Sequence, residues 1–209
     1  MPAWTPKAAA ALVALICWAA LGIRLWETYE DNGDVLASLW ILARFFTILT
    51  NFAVAVAMTF AAFEKRLSDF LLGGLALSIM LVGIVYVTLL QHLYHLQGME
   101  LLADNLMHKV APMAMALFWF TCPPHGRLKW TAPLWWALFP IVYFAYALVR
   151  GAIEGIYPYP FMDAGKIGYP QTLLNAAMIA AAFLVTGLGL VWLDRRVLGR
   201  KALTSKARR

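Results

Sequence analysis

Six apolar stretches, each near or above the length that crosses a bilayer, leave this chain few folds to choose from. A hydrocarbon core of roughly 30 Å needs about 20 helical residues, and apolar runs of that order fall at about 8–26, 36–63, 70–95, 101–121, 130–150 and 171–193. Lipid offers no partner to backbone polar groups, so such runs must close their own hydrogen bonds as helices. The expectation is an all-α, polytopic membrane protein: one bundle of six transmembrane helices in a single domain, 1–209, with a basic tail over 194–209. Composition agrees. The chain is 63% hydrophobic and 13% charged, where soluble domains average about 45–50% apolar and about 25% charged.

The charged residues orient the bundle. Glu64-Lys65-Arg66 and His125-Gly126-Arg127-Leu128-Lys129 are basic connections. So is the C-terminal run Arg195-Arg196, Arg200-Lys201, Lys206, Arg208-Arg209. The connections after the first, third and fifth runs are acidic or mixed. Lysine and arginine are retained on the cytoplasmic side, which places both termini in the cytoplasm. The formal net charge of +6 is then a cytoplasmic flank suited to anionic headgroups and not a nucleic-acid footprint. No clear small-x-small cleavage site follows the first run, so it reads as a retained helix and not a signal peptide. Cys17 and Cys122 fall toward the reducing side, with neither disulfide nor metal-ligand spacing. No metal and no cofactor are expected.

Polar residues inside these runs are costly and mark function. The second run carries Arg44, Thr47, Thr50 and Asn51, and the fourth carries Asn105, His108 and Lys109. Gln91, beside Tyr86, Thr88, His92 and His95, ends the third run, and Gln171 and Asn175 begin the sixth. With alternating directions all of these fall in the outer half, while the inner half is almost purely apolar. Counted along straight helices, Thr47 lies roughly 16 Å and His108 roughly 10 Å below the outer helix ends. A lone threonine at such a position commonly bonds a carbonyl one turn back, and His92 and His95 lie close enough to the interface to be solvated. His108 is harder to explain by packing, because a neutral imidazole must satisfy both a donor and an acceptor.

A threonine hydroxyl is a weak nucleophile that needs an adjacent base, and a neutral histidine supplies one. The pairing expected is Thr47 as nucleophile and His108 as base. Asp104 and Asn105 precede His108 by four and three residues, and either can share its helix face and orient the ring. Arg44, Thr50, Asn51, Gln91, Asn105, Lys109 and Asn175 are candidates for substrate binding or for donating to an oxyanion.

The run Phe45-Phe46-Thr47-Ile48-Leu49-Thr50-Asn51, with Asn105-Leu106-Met107-His108 and a downstream Pro112, resembles the androgen-induced and androgen-dependent tissue-factor-pathway-inhibitor-regulating protein family. The loop Tyr157-Pro158-Tyr159-Pro160-Phe161 resembles its bacterial branch. Lys109 stands where the animal members carry a small hydroxylic residue. The resemblance implies an integral-membrane threonine hydrolase of fatty acid esters of hydroxy fatty acids, with Thr47 at the nucleophile and His108 at the base. It also implies a bacterial plasma (inner) membrane location, with membrane lipids and a hydrophobic ester as partners. Two other functions use the same residues: a transporter or receptor for a small amphipathic ligand, and a haem-binding redox protein ligated through His92, His95 or His108.

Overall fold

The structure, a computed structural model, describes residues 5–63, 66–93, 95–122 and 124–198. Glu64, Lys65, Pro123 and the basic residues beyond 198 lie outside the described residues. Among the described residues every regular element is a helix or helical turn. They divide into two compact units, one ending at His125 and one starting at Gly126, where the sequence alone suggested a single bundle. Four helices among the described residues are long and apolar enough to cross a membrane: Pro6–Asn32, Asp69–Leu93, Ala132–Glu154 and Tyr169–Arg196. A bent pair, Val35–Leu42 with Phe46–Ala62, makes a fifth if it counts as one span. The run expected as a fourth span, 101–121, is not among them. Asp104, Asn105, His108 and Lys109 dilute its hydropathy, and these are the residues that mark it as functional.

In the first unit, α1 (Pro6–Asn32) is closed at both ends. The Thr5 hydroxyl accepts from the Ala8 N–H at 3.3 Å, and Pro6 occupies the first turn, where a missing donor costs nothing. At the other end Gly33, at φ 70°, donates its N–H to the Tyr29 carbonyl, a conformation that favours glycine. The helix therefore runs past the expected end at 26 and takes up the acidic residues Glu27 to Asp31.

The second run is corrected in shape. Expected as one tilted helix over 36–63, it is two: α2 (Val35–Leu42), started by Asp34 accepting from the Ala37 N–H at 2.7 Å, and α3 (Phe46–Ala62). The chain turns by 102° between them, through Ala43, Arg44 and Phe45. None of these residues breaks a helix by itself, so tertiary packing overrides a weak local preference. The depth counted for Thr47 along a straight helix does not hold, because Thr47 is the second residue of a new helix.

Next, α4 (Asp69–Val85) opens on Ser68, which accepts from the Leu71 N–H at 3.1 Å. It continues into a π turn, Tyr86–Leu90, and a 3-10 turn, Gln91–Leu93. Then α5 (Gly98–Asn105) and α6 (Ala111–Thr121) flank a second π turn, Leu106–Val110. Pro112 explains this second π turn. It has no N–H for the His108 carbonyl, and its ring crowds that carbonyl. The ladder shifts, and the Ala111 N–H donates to Leu106, five residues back.

Packing in this unit centres on α1, which runs along α3 and also meets α2, α5 and α6, while α4 packs on α3 and α6. The buried face of α1 is small: Ala10, Val13, Ala14, Cys17 and Ala20. On α3, against which α1 packs, Val54, Ala55 and Met58 are also buried, and small residues let membrane helices approach closely. Gly83 serves the same end on α4, since a Cβ there would lie 3.0 Å from the His108 carbonyl oxygen and 3.1 Å from Pro112 Cβ. Gly83→Ala therefore presses on the backbone carrying His108. Overpacking of this kind costs about 1–3 kcal/mol, against about 1 kcal/mol gained in helix propensity. Thermal unfolding in detergent is expected to show a lowered midpoint; an unchanged one would mean that the π turn yields.

The second unit holds α7 (Ala132–Trp136), α8 (Leu138–Glu154), α9 (Ala164–Ile167) and α10 (Tyr169–Trp192). Where a kink is expected from Pro140, the helix is interrupted at Ala137, and Pro140 has no N–H for the Trp136 carbonyl. The loop after α8, expected as a lid or plug, is fastened to its own unit. Pro158, Met162 and Ala164 are buried, and Asn175 donates to the Phe161 carbonyl at 3.0 Å. The Tyr157 ring lies against Gly151, where a Cβ would fall 2.3 Å from the Tyr157 Cδ1. Gly151→Ala is expected to dislodge that ring and expose 155–162 to protease, read as faster cleavage within the loop. Asp194, buried, accepts from the Leu128 N–H at 3.0 Å, and Arg195 donates to the Leu128 carbonyl at 2.8 Å. The basic connection and the start of the basic flank thus meet at one end of this unit.

Candidate active site

The break before α3 and the π turn before α6 bring two side chains together. Thr47, buried, places its Oγ1 3.2 Å from His108 Nε2. The other ring nitrogen of His108, Nδ1, is 3.0 Å from Asp104 Oδ1 and 3.0 Å from the Asp104 carbonyl oxygen. Both groups facing Nδ1 are acceptors, so Nδ1 carries the proton, and Nε2 is left to accept from the Thr47 hydroxyl. Nucleophile, base and orienting carboxylate stand in the order a triad requires.

The surroundings hold this line in place. Tyr86 donates its hydroxyl to Asp104 Oδ2, and its ring stacks on His108 with centroids 4.1 Å apart and planes 14° apart. Ala20, Ala103 and Met107 form a buried apolar cluster with Ile23, Ile48 and Leu106 packed against it, which walls one side of the π turn. Asn51, fully buried, donates to the Thr47 carbonyl at 2.9 Å and to the Met107 carbonyl at 3.4 Å. That amide joins the residue bearing the hydroxyl to the residue preceding the base. π turns inside α-helices recur at functional sites, and here two lie side by side, one beginning at Tyr86 and one carrying His108.

The remaining expected residues divide clearly. Arg44 sits in the break three residues before Thr47, half-buried. Lys109 is half-buried with its Nζ 5.8 Å from the centre of the Tyr86 ring. Thr50 is fully buried, and its Oγ1 has no hydrogen-bond partner among the described residues. Asn51 is a backbone clamp, so its amide N–H groups are committed away from a substrate oxyanion. Asn105 bonds its own helix, donating to the Leu101 carbonyl at 2.9 Å, and so does not orient His108; Asp104 does. Gln91, in the 3-10 turn beyond Tyr86, hydrogen-bonds neither Thr47 nor His108. Asn175 belongs to the second unit, where it accepts from Gln171 at 2.9 Å and fastens the loop.

His92 and His95 are exposed beyond α4, and both ring nitrogens of His108 are engaged. No cluster of three or more potential metal-ligating side chains occurs among the described residues. Sequence reasoning left Asp104 as one of two candidates and gave Tyr86 no role. The four-residue step from Asp104 to His108 was the available signal for the first. Nothing local announces the second, which depends on α4 packing against the π turn. No family model, no curated protein and no solved structure matches the chain.

Proposed function

We propose that this protein is an intramembrane hydrolase of lipid esters, with Thr47 as nucleophile, His108 as general base and Asp104 as the positioning carboxylate. The observation that carries the reading is the Thr47 Oγ1 to His108 Nε2 contact of 3.2 Å, with Nδ1 held by Asp104. His108 takes the hydroxyl proton as Oγ1 attacks the ester carbonyl carbon. The tetrahedral intermediate collapses, and the imidazolium returns that proton to the departing alkoxide, leaving an acyl ester on Thr47. Water, deprotonated by the same Nε2, attacks the acyl carbon; the second tetrahedral intermediate breaks its bond to Thr47 Oγ1, which takes the proton back from His108 as the carboxylic acid leaves. The developing oxyanion draws on the positive N-terminal end of α3 and on the cations Arg44 and Lys109.

The apolar setting supports a hydrophobic substrate. Within the site's own unit, Pro6–Asn32 and Asp69–Leu93 are long and apolar enough to span a membrane, and Phe46, Ile48, Leu106 and Met107 flank the reacting pair in sequence. In the same reading the chain has six spans with cytoplasmic termini in a bacterial inner membrane. It is a bacterial-branch member of the androgen-induced family it resembles, acting on fatty acid esters of hydroxy fatty acids. A fluorophosphonate probe tests the nucleophile. Purified protein is expected to be labelled, and Thr47→Ala to lose the label while remaining folded. Undiminished labelling of Thr47→Ala would remove Thr47 from this role.

A further inference from the structure

We infer that Tyr86 is a positioning residue of this site, acting on His108 both directly and through Asp104; the inference rests on the hydrolase reading above. Tyr86 is 5% exposed, and it touches two members of the triad. The hydroxyl donates to Asp104 Oδ2, while Asp104 Oδ1 faces His108 Nδ1 at 3.0 Å. With each oxygen held, the carboxylate is fixed in the plane that receives the imidazole N–H. The phenol ring meanwhile lies on the imidazole at 4.1 Å and 14°, which fixes the ring plane. Neither contact involves Nε2 or Thr47 Oγ1, so both leave the reacting pair as it is.

The two contacts act at different moments. The hydroxyl holds the carboxylate before reaction, when the neutral imidazole must present Nε2. The ring face acts as the proton arrives, because an aromatic face attracts the imidazolium that forms. Lys109, with Nζ 5.8 Å from the centre of the Tyr86 ring, keeps a second cation beside the same ring. A residue with these contacts changes kcat and leaves substrate affinity alone.

The test is a double-mutant cycle on the full-length protein in detergent, using a p-nitrophenyl acyl ester for turnover and a fluorophosphonate for labelling rate. Tyr86→Phe keeps the ring face and removes the hydroxyl, and is expected to lower kcat about tenfold with KM within about twofold. Tyr86→Leu removes both contacts and is expected to lose about 100-fold. In an Asp104→Asn background Tyr86→Phe is expected to cost almost nothing further, because its route to His108 is already cut. Wild-type turnover and labelling by Tyr86→Phe would overturn the inference. So would a loss confined to KM or thermal midpoint, or one that multiplies fully with Asp104→Asn. If Tyr86→Leu fails to fold, Tyr86→Phe carries the result. Should wild-type protein be inert, or Thr47→Ala and His108→Ala stay fully active, the hydrolase reading falls first and takes this inference with it.

Discussion

Thr47→Ala and His108→Ala are each expected to abolish the proposed ester hydrolysis, with rates falling at least about 1,000-fold while the protein stays folded. The size follows from their joint action. Without the hydroxyl no acyl intermediate forms, and without the imidazole nothing takes the hydroxyl proton at neutral pH. Groups that act as a unit are strongly non-additive, so the double variant is expected to be no worse than either single one. Stability moves little in Thr47→Ala, which removes one hydroxyl and one methyl beside a helix start. His108→Ala also removes the ring stacked on Tyr86 and is the more destabilised of the two. Hydrolysis of a p-nitrophenyl acyl ester, with circular dichroism as the folding control, checks both. A variant that retains wild-type turnover removes its residue from the mechanism.

Asp104→Asn is expected to have the second largest effect, a fall in kcat of about 100- to 10,000-fold with little change in KM. Asparagine fills the same space, yet it can turn its NH2 toward Nδ1. That would favour the tautomer with its proton on Nε2, where it blocks acceptance from Thr47. The Asp104 backbone carbonyl, also 3.0 Å from Nδ1, opposes this flip and sets the lower end of the range. Asp104→Glu keeps the charge and misplaces it, and should fall between. Steady-state kinetics on the three proteins separates tautomer control from simple charge. Equal losses in asparagine and glutamate variants would point to packing instead.

Much of this was legible in the sequence because membranes make polarity conspicuous. Thr47 and His108 stood out as costly residues in apolar runs, and the structure sets them 3.2 Å apart. Depth counted along a straight helix misplaces Thr47, since α2 and α3 meet at 102° and no proline or glycine marks the turn. Ala43-Arg44-Phe45 reads locally as continuing helix, and only packing bends it. Pro112 did carry a readable instruction, the missing N–H that forces a π turn under His108, although its position suggested only family resemblance. Asn51 shows the opposite failure. A buried amide invites a role toward substrate, yet this one bonds the Thr47 and Met107 carbonyls. Side-chain targets of that kind belong to tertiary structure. Asn175, in the second unit, fastens a loop through the Phe161 carbonyl, a partner that depth does not reveal.

The most direct test is to trap the intermediate. Protein mixed briefly with a p-nitrophenyl acyl ester, quenched in acid and digested should yield one peptide heavier by the acyl group, with fragmentation placing the added mass on Thr47. Asp104→Asn should yield the same adduct more slowly, and Thr47→Ala none. Acyl transfer to another residue, or turnover with no acylated peptide under conditions that trap a known acyl-enzyme, would contradict the account.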